Sequence, residues 1–135
     1  MAGKLSSFQR ASDSRATPDA PSRTVLVVED DAGLRSYLTT ILEDQGYTVV
    51  SAGSGEEALQ ALGNRRAILA VLDIGLPGMD GFAVAEHLAK DVPVIVVTGD
   101  PLKAKMRAFG RTTPLTILAK PITPEQFEAA LQAAL

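Results

Sequence analysis

From Thr24 onward the chain repeats one pattern five times. A short run of Val, Ile, Leu and Ala comes first, then a stretch whose apolar residues recur at helical spacing. A strand with one wet face alternates apolar and polar residues, whereas an unbroken apolar run indicates burial on both faces. The runs are 24–28 (TVLVV), 48–51, 68–72, 94–98 and 116–119. Strands buried on both faces and separated by helices build a parallel sheet covered by helices on either side. The spacing therefore predicts an α/β fold: a doubly wound, five-stranded parallel sheet with five helices.

The intervening segments carry helix signals. Asp31 caps a helix running to about Gln45, with Leu34, Leu38, Ile41 and Leu42 on one face and Gly46 at its stop. Ser54 and Glu57 fit a capping box for a helix through Leu62, closed by Gly63. A short helix covers about 82–90. Asp100-Pro101 opens a weaker one towards Phe109. Thr123-Pro124 with Gln126 opens the last, with Phe127, Ala130, Leu131 and Ala134 facing inward.

Residues 1–23 differ. They are rich in Ser, Ala, Arg and Pro, have no sustained apolar period, and carry a net charge of +2, leaving −5 for the remainder. They read as a disordered tail ahead of one domain at 24–135. The 135 residues contain no Cys and one His, His87, which excludes disulfides, thiol nucleophiles and Cys- or His-rich metal sites. A net charge of −3 gives no electrostatic drive towards nucleic acid or anionic membranes. There is no apolar run of membrane-spanning length and no signal-peptide segment. The expectation is a cytoplasmic protein with neither nucleic acid nor membrane as partner.

In open parallel sheets ligands bind beyond the carboxyl ends of the strands, at the point where strand order reverses. The first run ends on Glu29-Asp30-Asp31, the third on Asp73, the fourth on Thr98-Gly99 and the fifth on Lys120-Pro121. A parallel sheet brings these to one edge. Carboxylates so gathered repel one another unless a cation compensates. With no His or Cys nearby, the suitable ion is hard and oxygen-loving, and Mg²⁺ fits best. Lys120 adds positive charge and Thr98 a hydroxyl donor, a set suited to a transferring phosphoryl group. Asp73, alone on a central strand, is the candidate acceptor.

These residues resemble the receiver domain of two-component response regulators, a flavodoxin-like fold. VLVVEDD resembles the acidic pair after that family's first strand, VLDIGLPGMDG its phosphoacceptor strand and loop, VIVVTG its Thr/Ser strand and LAKP its Lys-Pro strand. The resemblance covers about residues 24–135. It implies that Asp73 takes phosphate from a histidine kinase or histidine phosphotransfer protein. Glu29 and Asp30 would hold Mg²⁺ together with Asp73 and the carbonyl of Gly75. Thr98 would bond the phosphoryl group, Lys120 would pair with one of its oxygens, and the Lys120-Pro121 bond would be cis. The protein would be a switch rather than an enzyme, promoting its own phosphotransfer and dephosphorylation and passing the signal to a downstream protein. With no segment after the fifth helix, the expectation is a stand-alone receiver. One departure matters: Ile117 occupies the place, three before the lysine, where the family carries Tyr or Phe. Gly75 and Asp100 hold positions that tune phosphate lifetime in the family, and Asp100 also suits a helix cap. The fourth helix, within PLKAKMRAFGRTTPLT, is expected to be short or mobile. In the loop, Gly78 and Gly81 are expected to supply backbone conformations other residues avoid.

Other readings compete. GSGEEA, residues 53–58, fits a dinucleotide fingerprint, but Glu56 and Glu57 would stand where pyrophosphate should sit. An EF-hand at 73–81 lacks alternating oxygen ligands. A receiver-like binding module that signals without phosphorylation is kept open by Ile117 and opposed by the intact Asp, Thr and Lys set. His87 reads as a solvated helix residue. Ala129, Ala130, Ala133 and Ala134 form a small-residue surface that ordinary helix propensity also explains.

Overall fold

Every residue of the first strand, β1 (Thr24–Val28), is buried, and so is every residue of β4 (Val94–Thr98). This is the burial that the unbroken apolar runs demand. The computed structural model describes residues 22–76, 78–108 and 114–135. Between and after these strands come α1 (Ala32–Asp44), β2 (Thr48–Ala52), α2 (Gly55–Leu62), β3 (Ala67–Leu72), α3 (Gly81–Glu86), α4 (Pro101–Ala108), β5 (Leu115–Ala119) and α5 (Pro124–Ala134). The five strands form one parallel sheet in the order β2-β1-β3-β4-β5. The chain steps outward from β1 to β2, then returns to the far side of β1 for β3. The reversal lies between β1 and β3, where the doubly wound rule locates a binding crevice.

Successive side chains of a strand point to opposite faces, so each strand feeds two cores. Leu26, Val28, Leu72, Val94 and Val96 pack with Ala58, Leu62, Phe82, Val84 and Ala104 of α2, α3 and α4. Val25, Val27, Leu69, Val71, Ile95 and Val97 pack with Leu38, Leu42, Phe127 and Leu131 of α1 and α5. The edge strand β5 is only half-buried, and Ile117 packs into the first core beside Leu115.

Local signals set the helix ends. The Asp31 carboxylate accepts from the N–H groups of Gly33 (2.9 Å) and Leu34 (3.3 Å). Ser54 accepts from Glu57 N–H, and Thr123 and Gln126 form a reciprocal capping box. Gly46 and Gly63 have φ of 92° and 59°, the left-handed region suited to glycine. The third helix is shorter than the predicted 82–90. The imidazole of His87 donates from Nδ1 to the Ala83 carbonyl (2.9 Å), so His87 N–H bonds the Val84 carbonyl instead (3.0 Å). A side chain that takes the i−4 carbonyl tightens the last turn and ends the helix at Glu86.

Residues 1–21 of the predicted tail, Phe109 at the predicted end of the fourth helix and the 109–113 part of its connection lie outside the described residues. Ser22 and Arg23, assigned to the tail by sequence, are anchored. The Ser22 hydroxyl donates to the Arg66 carbonyl (2.5 Å), Arg23 Nε donates to the Gly46 carbonyl (3.1 Å), and the Arg23 guanidinium lies 4.6 Å from the centre of the Tyr47 ring.

Candidate functional site

Three of the sequence-predicted residues are held by backbone bonds that carry the sheet ladder beyond the strand ends. Glu29 N–H donates to the Ala52 carbonyl (3.1 Å), Asp73 N–H to the Val28 carbonyl (3.1 Å), and Lys120 N–H to the Thr98 carbonyl (2.7 Å). Residues far apart in the chain therefore leave adjacent strands at one edge. Carboxylate oxygens of Glu29, Asp30 and Asp73 lie within 4.8 Å of one another. Lys120 Nζ reaches between them, 3.0 Å from Asp73 Oδ2 and 3.1 Å from Glu29 Oε1. The other oxygen of Asp73, Oδ1, accepts from Gly75 N–H at 2.8 Å. Thr98 is buried at the end of β4, and its Oγ1 accepts from Asp100 N–H at 2.9 Å. The Lys120-Pro121 peptide is cis.

Asp31 and Asp100 spend their carboxylates on helix caps: Asp31 on α1, as above, and Asp100 by accepting from Lys103 N–H (3.1 Å). In α2, the Gly55 of GSGEEA has a packing reason. A Cβ there would meet Val84 Cγ2 at 2.7 Å and the Met79 carbonyl at 3.0 Å, so this glycine lets α2 approach α3. A cavity of about 430 Å³, lined by residues such as Leu62, Arg66 and Leu88, includes none of Glu29, Asp30 and Asp73 in its lining.

Electrostatics give the cluster its character. Burial pushes the Glu29 carboxyl up to about 7, and the Asp73 charge adds to this, against the opposing pull of Asp31 N–H and Lys120. Burial alone would lower the Lys120 ammonium, but its bonds to Asp73 and Glu29 outweigh that and hold it above the usual lysine range. Three carboxylates face one ammonium, and the buried Glu29 Oε1 receives no hydrogen bond although it lies at ion-pair distance from Lys120. An oxygen-only set with excess negative charge and an orphaned buried oxygen fits a small hard cation such as Mg²⁺.

Residues 25–132 match the model of the response regulator receiver domain. The chain belongs to that family. A probable transcriptional regulator, ycf27, from Porphyridium aerugineum is 36% identical over 118 residues, which cover 82% of this chain and 47% of that protein. The chain thus spans about half the length of the curated relatives it matches first. Among solved structures, chemotaxis protein CheY4 of Vibrio cholerae superposes with a TM-score of 0.74 at 27% identity, covering 85% of this chain and all of that one (100%). The non-phosphorylated HemR receiver domain of Leptospira biflexa gives a TM-score of 0.73 at 30% identity, covering 84% of this chain and 94% of that one. Receivers of this family are signalling switches that work with histidine kinases. Among the described residues, no helix is long and apolar enough to cross a membrane.

Two features of this receiver site were not read from the sequence. Gly81 was expected to supply an unusual backbone conformation, and the structure corrects this: positive φ is found at Gly78 (72°) and not at Gly81. Gly81 is needed for space, because a Cβ there would stand 2.6 Å from the Asp73 carbonyl oxygen. The second is a tie from α4 to the loop after β3. Asp80 caps α3 by accepting from Ala83 N–H (3.0 Å), and its other oxygen pairs with Arg107. The Arg107 guanidinium also lies 4.7 Å from the centre of the Phe82 ring. Burial works against ionisation of Asp80, but the Arg107 bond prevails and holds its carboxyl below the usual range. Neither feature has a signature in residue type, and the Arg107–Asp80 pair joins residues twenty-seven apart in the chain.

Proposed function

We propose that this receiver accepts a phosphoryl group onto Asp73 from the phosphohistidine of a histidine kinase or histidine phosphotransfer protein in the cytoplasm. The observation that carries the reading is the Lys120 ammonium set between Asp73 Oδ2 and Glu29 at the mouth of the β1–β3 crevice. Asp73 follows a strand paired with β1 and, at Ala70–Leu72, with β4, and its own N–H bonds the Val28 carbonyl, so its carboxylate is presented from a fixed backbone. A carboxylate oxygen attacks phosphorus, the P–N bond breaks, and its electron pair stays on the departing imidazole nitrogen. The product is an acyl phosphate. As negative charge arrives, Lys120 pairs with a phosphoryl oxygen. The Thr98 hydroxyl accepts from Asp100 N–H, so its own proton is available for a second phosphoryl oxygen. Glu29, Asp30, Asp73 and the Gly75 carbonyl are the residues that would hold Mg²⁺, which when bound supplies the positive charge that offsets repulsion between carboxylates and phosphoryl group.

The same residues support loss of the phosphate to water. Gly75 offers no side chain to shield the acyl phosphate, and Asp100 is engaged as a cap. Output through α4, β5 and α5 runs without the aromatic ring common in the family, since Ile117 is packed against the first core. Residues 24–135 are taken as the functional unit, with Ser22 and Arg23 as its anchored entry. The test is intact mass after incubation with acetyl phosphate. A Mg²⁺-dependent gain of one phosphoryl group, absent in Asp73→Asn, is the expected result. Partner binding that is indifferent to phosphate, with no mass gain, would favour a receiver-like binding module instead.

A further inference from the structure

We propose that Arg35 is a positioning residue for the metal-binding acids, aiming Asp30 through the backbone, and that Gly53 makes its seat. The inference rests on the reading of Glu29 and Asp30 as Mg²⁺ ligands. Of the three gathered carboxylates, that of Asp30 is the least restrained. Glu29 and Asp73 are buried and paired with Lys120, whereas Asp30 is exposed, and among the described residues no hydrogen bond reaches its side chain. Its direction therefore depends on the peptide from which it hangs. The residue before it is held on both sides. Glu29 N–H donates to the Ala52 carbonyl (3.1 Å), and the Glu29 carbonyl, part of the Glu29–Asp30 peptide unit, accepts from Arg35 Nη1 at 2.7 Å. Arg35 is itself anchored in the first turn of α1, where its N–H bonds the Asp31 carbonyl (2.9 Å). The guanidinium thus ties α1 back to the end of β1 at the point where Asp30 leaves the sheet.

The route of the guanidinium gives Gly53 a reason. A Cβ there would stand 3.1 Å from Arg35 Nη1 and 4.0 Å from Asp30 Cα. Gly53 is not among the glycines of positive φ, so the space over it, rather than its backbone conformation, calls for glycine. The two glycines of GSGEEA therefore make room for different neighbours, Gly53 for Arg35 and Gly55 for α3. Among the described residues Arg35 forms no ion pair, so its charge is not spent on a carboxylate. Charge and support predict opposite signs. A cation beside the site repels a second cation, so removing charge alone would tighten Mg²⁺ binding. Removing a group that orients a metal ligand loosens it, commonly by about 10- to 100-fold.

The test is a Mg²⁺ titration of the full chain, read by calorimetry and amide shifts, with no phosphodonor present. Arg35→Met removes the donor and should weaken Mg²⁺ binding about tenfold. Gly53→Ala changes no charge but pushes the guanidinium off its seat, and should weaken binding in the same direction by less. The double variant should bind no more weakly than Arg35→Met, because both substitutions act through one bond. Arg35→Lys keeps the charge on a side chain one bond shorter and should resemble Arg35→Met. In the metal-free variants, amide shifts should stay near residues 29–35 and 53, the mark of a local change. With acetyl phosphate added, about tenfold more Mg²⁺ should be needed for half the maximal incorporation in Arg35→Met. Tighter or unchanged Mg²⁺ binding in Arg35→Met overturns the proposal, as do wild-type affinity in Arg35→Lys and additive losses in the double variant. Weakened Mg²⁺ binding in the variants of a chain that takes no phosphate would sink the phosphoacceptor reading and leave this one standing. Absence of Mg²⁺ binding in the wild type would overturn both.

Discussion

The β1–β3 centre of the sheet and its α4–β5 flank are built to different standards. At the centre, all of β1 is buried, β3 nearly so, and the residues beyond both strands keep ladder bonds. On the flank, β5 is half-buried, and α4 exposes Leu102 (67%) and Met106 (71%) to solvent. The centre carries Glu29, Asp30 and Asp73; the flank carries the helix and strand proposed above as the output surface. Chemistry that needs two carboxylates each about 3 Å from one ammonium has to rest on a held backbone, and Lys120, which leaves the flank strand β5, is tied back to the buried β4 by its N–H bond to the Thr98 carbonyl (2.7 Å). A surface meant to be read by a partner tolerates looser packing and exposed apolar side chains. The Asp80–Arg107 pair joins the two regions, running from the loop after Asp73 to α4.

This contrast predicts a ranking of effects. Lys120→Met should have the largest, because it removes the ammonium that both buried carboxylates share. Phosphoryl incorporation should fall about a hundredfold, the usual scale for losing a group that stabilises developing charge. Metal-free stability should fall by about 3 kcal/mol, the cost of leaving buried charge unpaired. Phosphorylation kinetics and urea unfolding check the two parts.

The next effect concerns pH. Glu29 has a folded value of about 7 against 4.5 as a free side chain, so between these values the folded protein holds a proton that the unfolded chain has released. The Glu29 contribution to metal-free stability is therefore greatest below that window and is lost as pH rises through about 7. The decline should be about 3 kcal/mol, from the free energy equivalent of a pKa difference. Glu29→Gln should flatten it, and added Mg²⁺ should reverse it, in thermal melts from pH 5 to about 8.5.

Gly81→Ala comes third. Its methyl group would displace the Asp73 backbone, lowering stability by about 2 kcal/mol, as overpacking does, and slowing phosphoryl transfer as well. On the flank, Leu102→Ser with Met106→Ser should alter stability by no more than about 0.5 kcal/mol and leave transfer unchanged. If the flank pair proved as damaging as Gly81→Ala, the distinction between the two regions would not hold.

Much of the centre was legible because its physics is local. Burial on both faces writes unbroken apolar runs, so the strands could be located to within about a residue, and the caps Asp31, Ser54, Asp100 and Thr123 declare themselves by residue type. The carboxyl-edge rule then brings Asp73, Glu29 and Lys120 together without coordinates. The features that escaped are contacts that residue type does not announce. His87 capturing the Ala83 carbonyl lies within one helical turn and the Gly81 approach to Asp73 within one loop, yet each depends on a side-chain rotamer or a backbone path that the residue types leave open. The Arg107–Asp80 tie is of the same kind, since nothing near Arg107 announces a partner twenty-seven residues away.

The central claim is that one aspartyl oxygen, held by the sheet edge against Lys120, is the acceptor. Borohydride reduction of the phosphorylated protein, followed by peptide mass mapping, tests it most directly, since an acyl phosphate is reduced to homoserine where it formed. Homoserine at position 73 alone, dependent on Mg²⁺ and on Lys120, is the predicted result. Homoserine at Asp30 or Asp80, or none anywhere while the protein remains folded and bound to Mg²⁺, would contradict it.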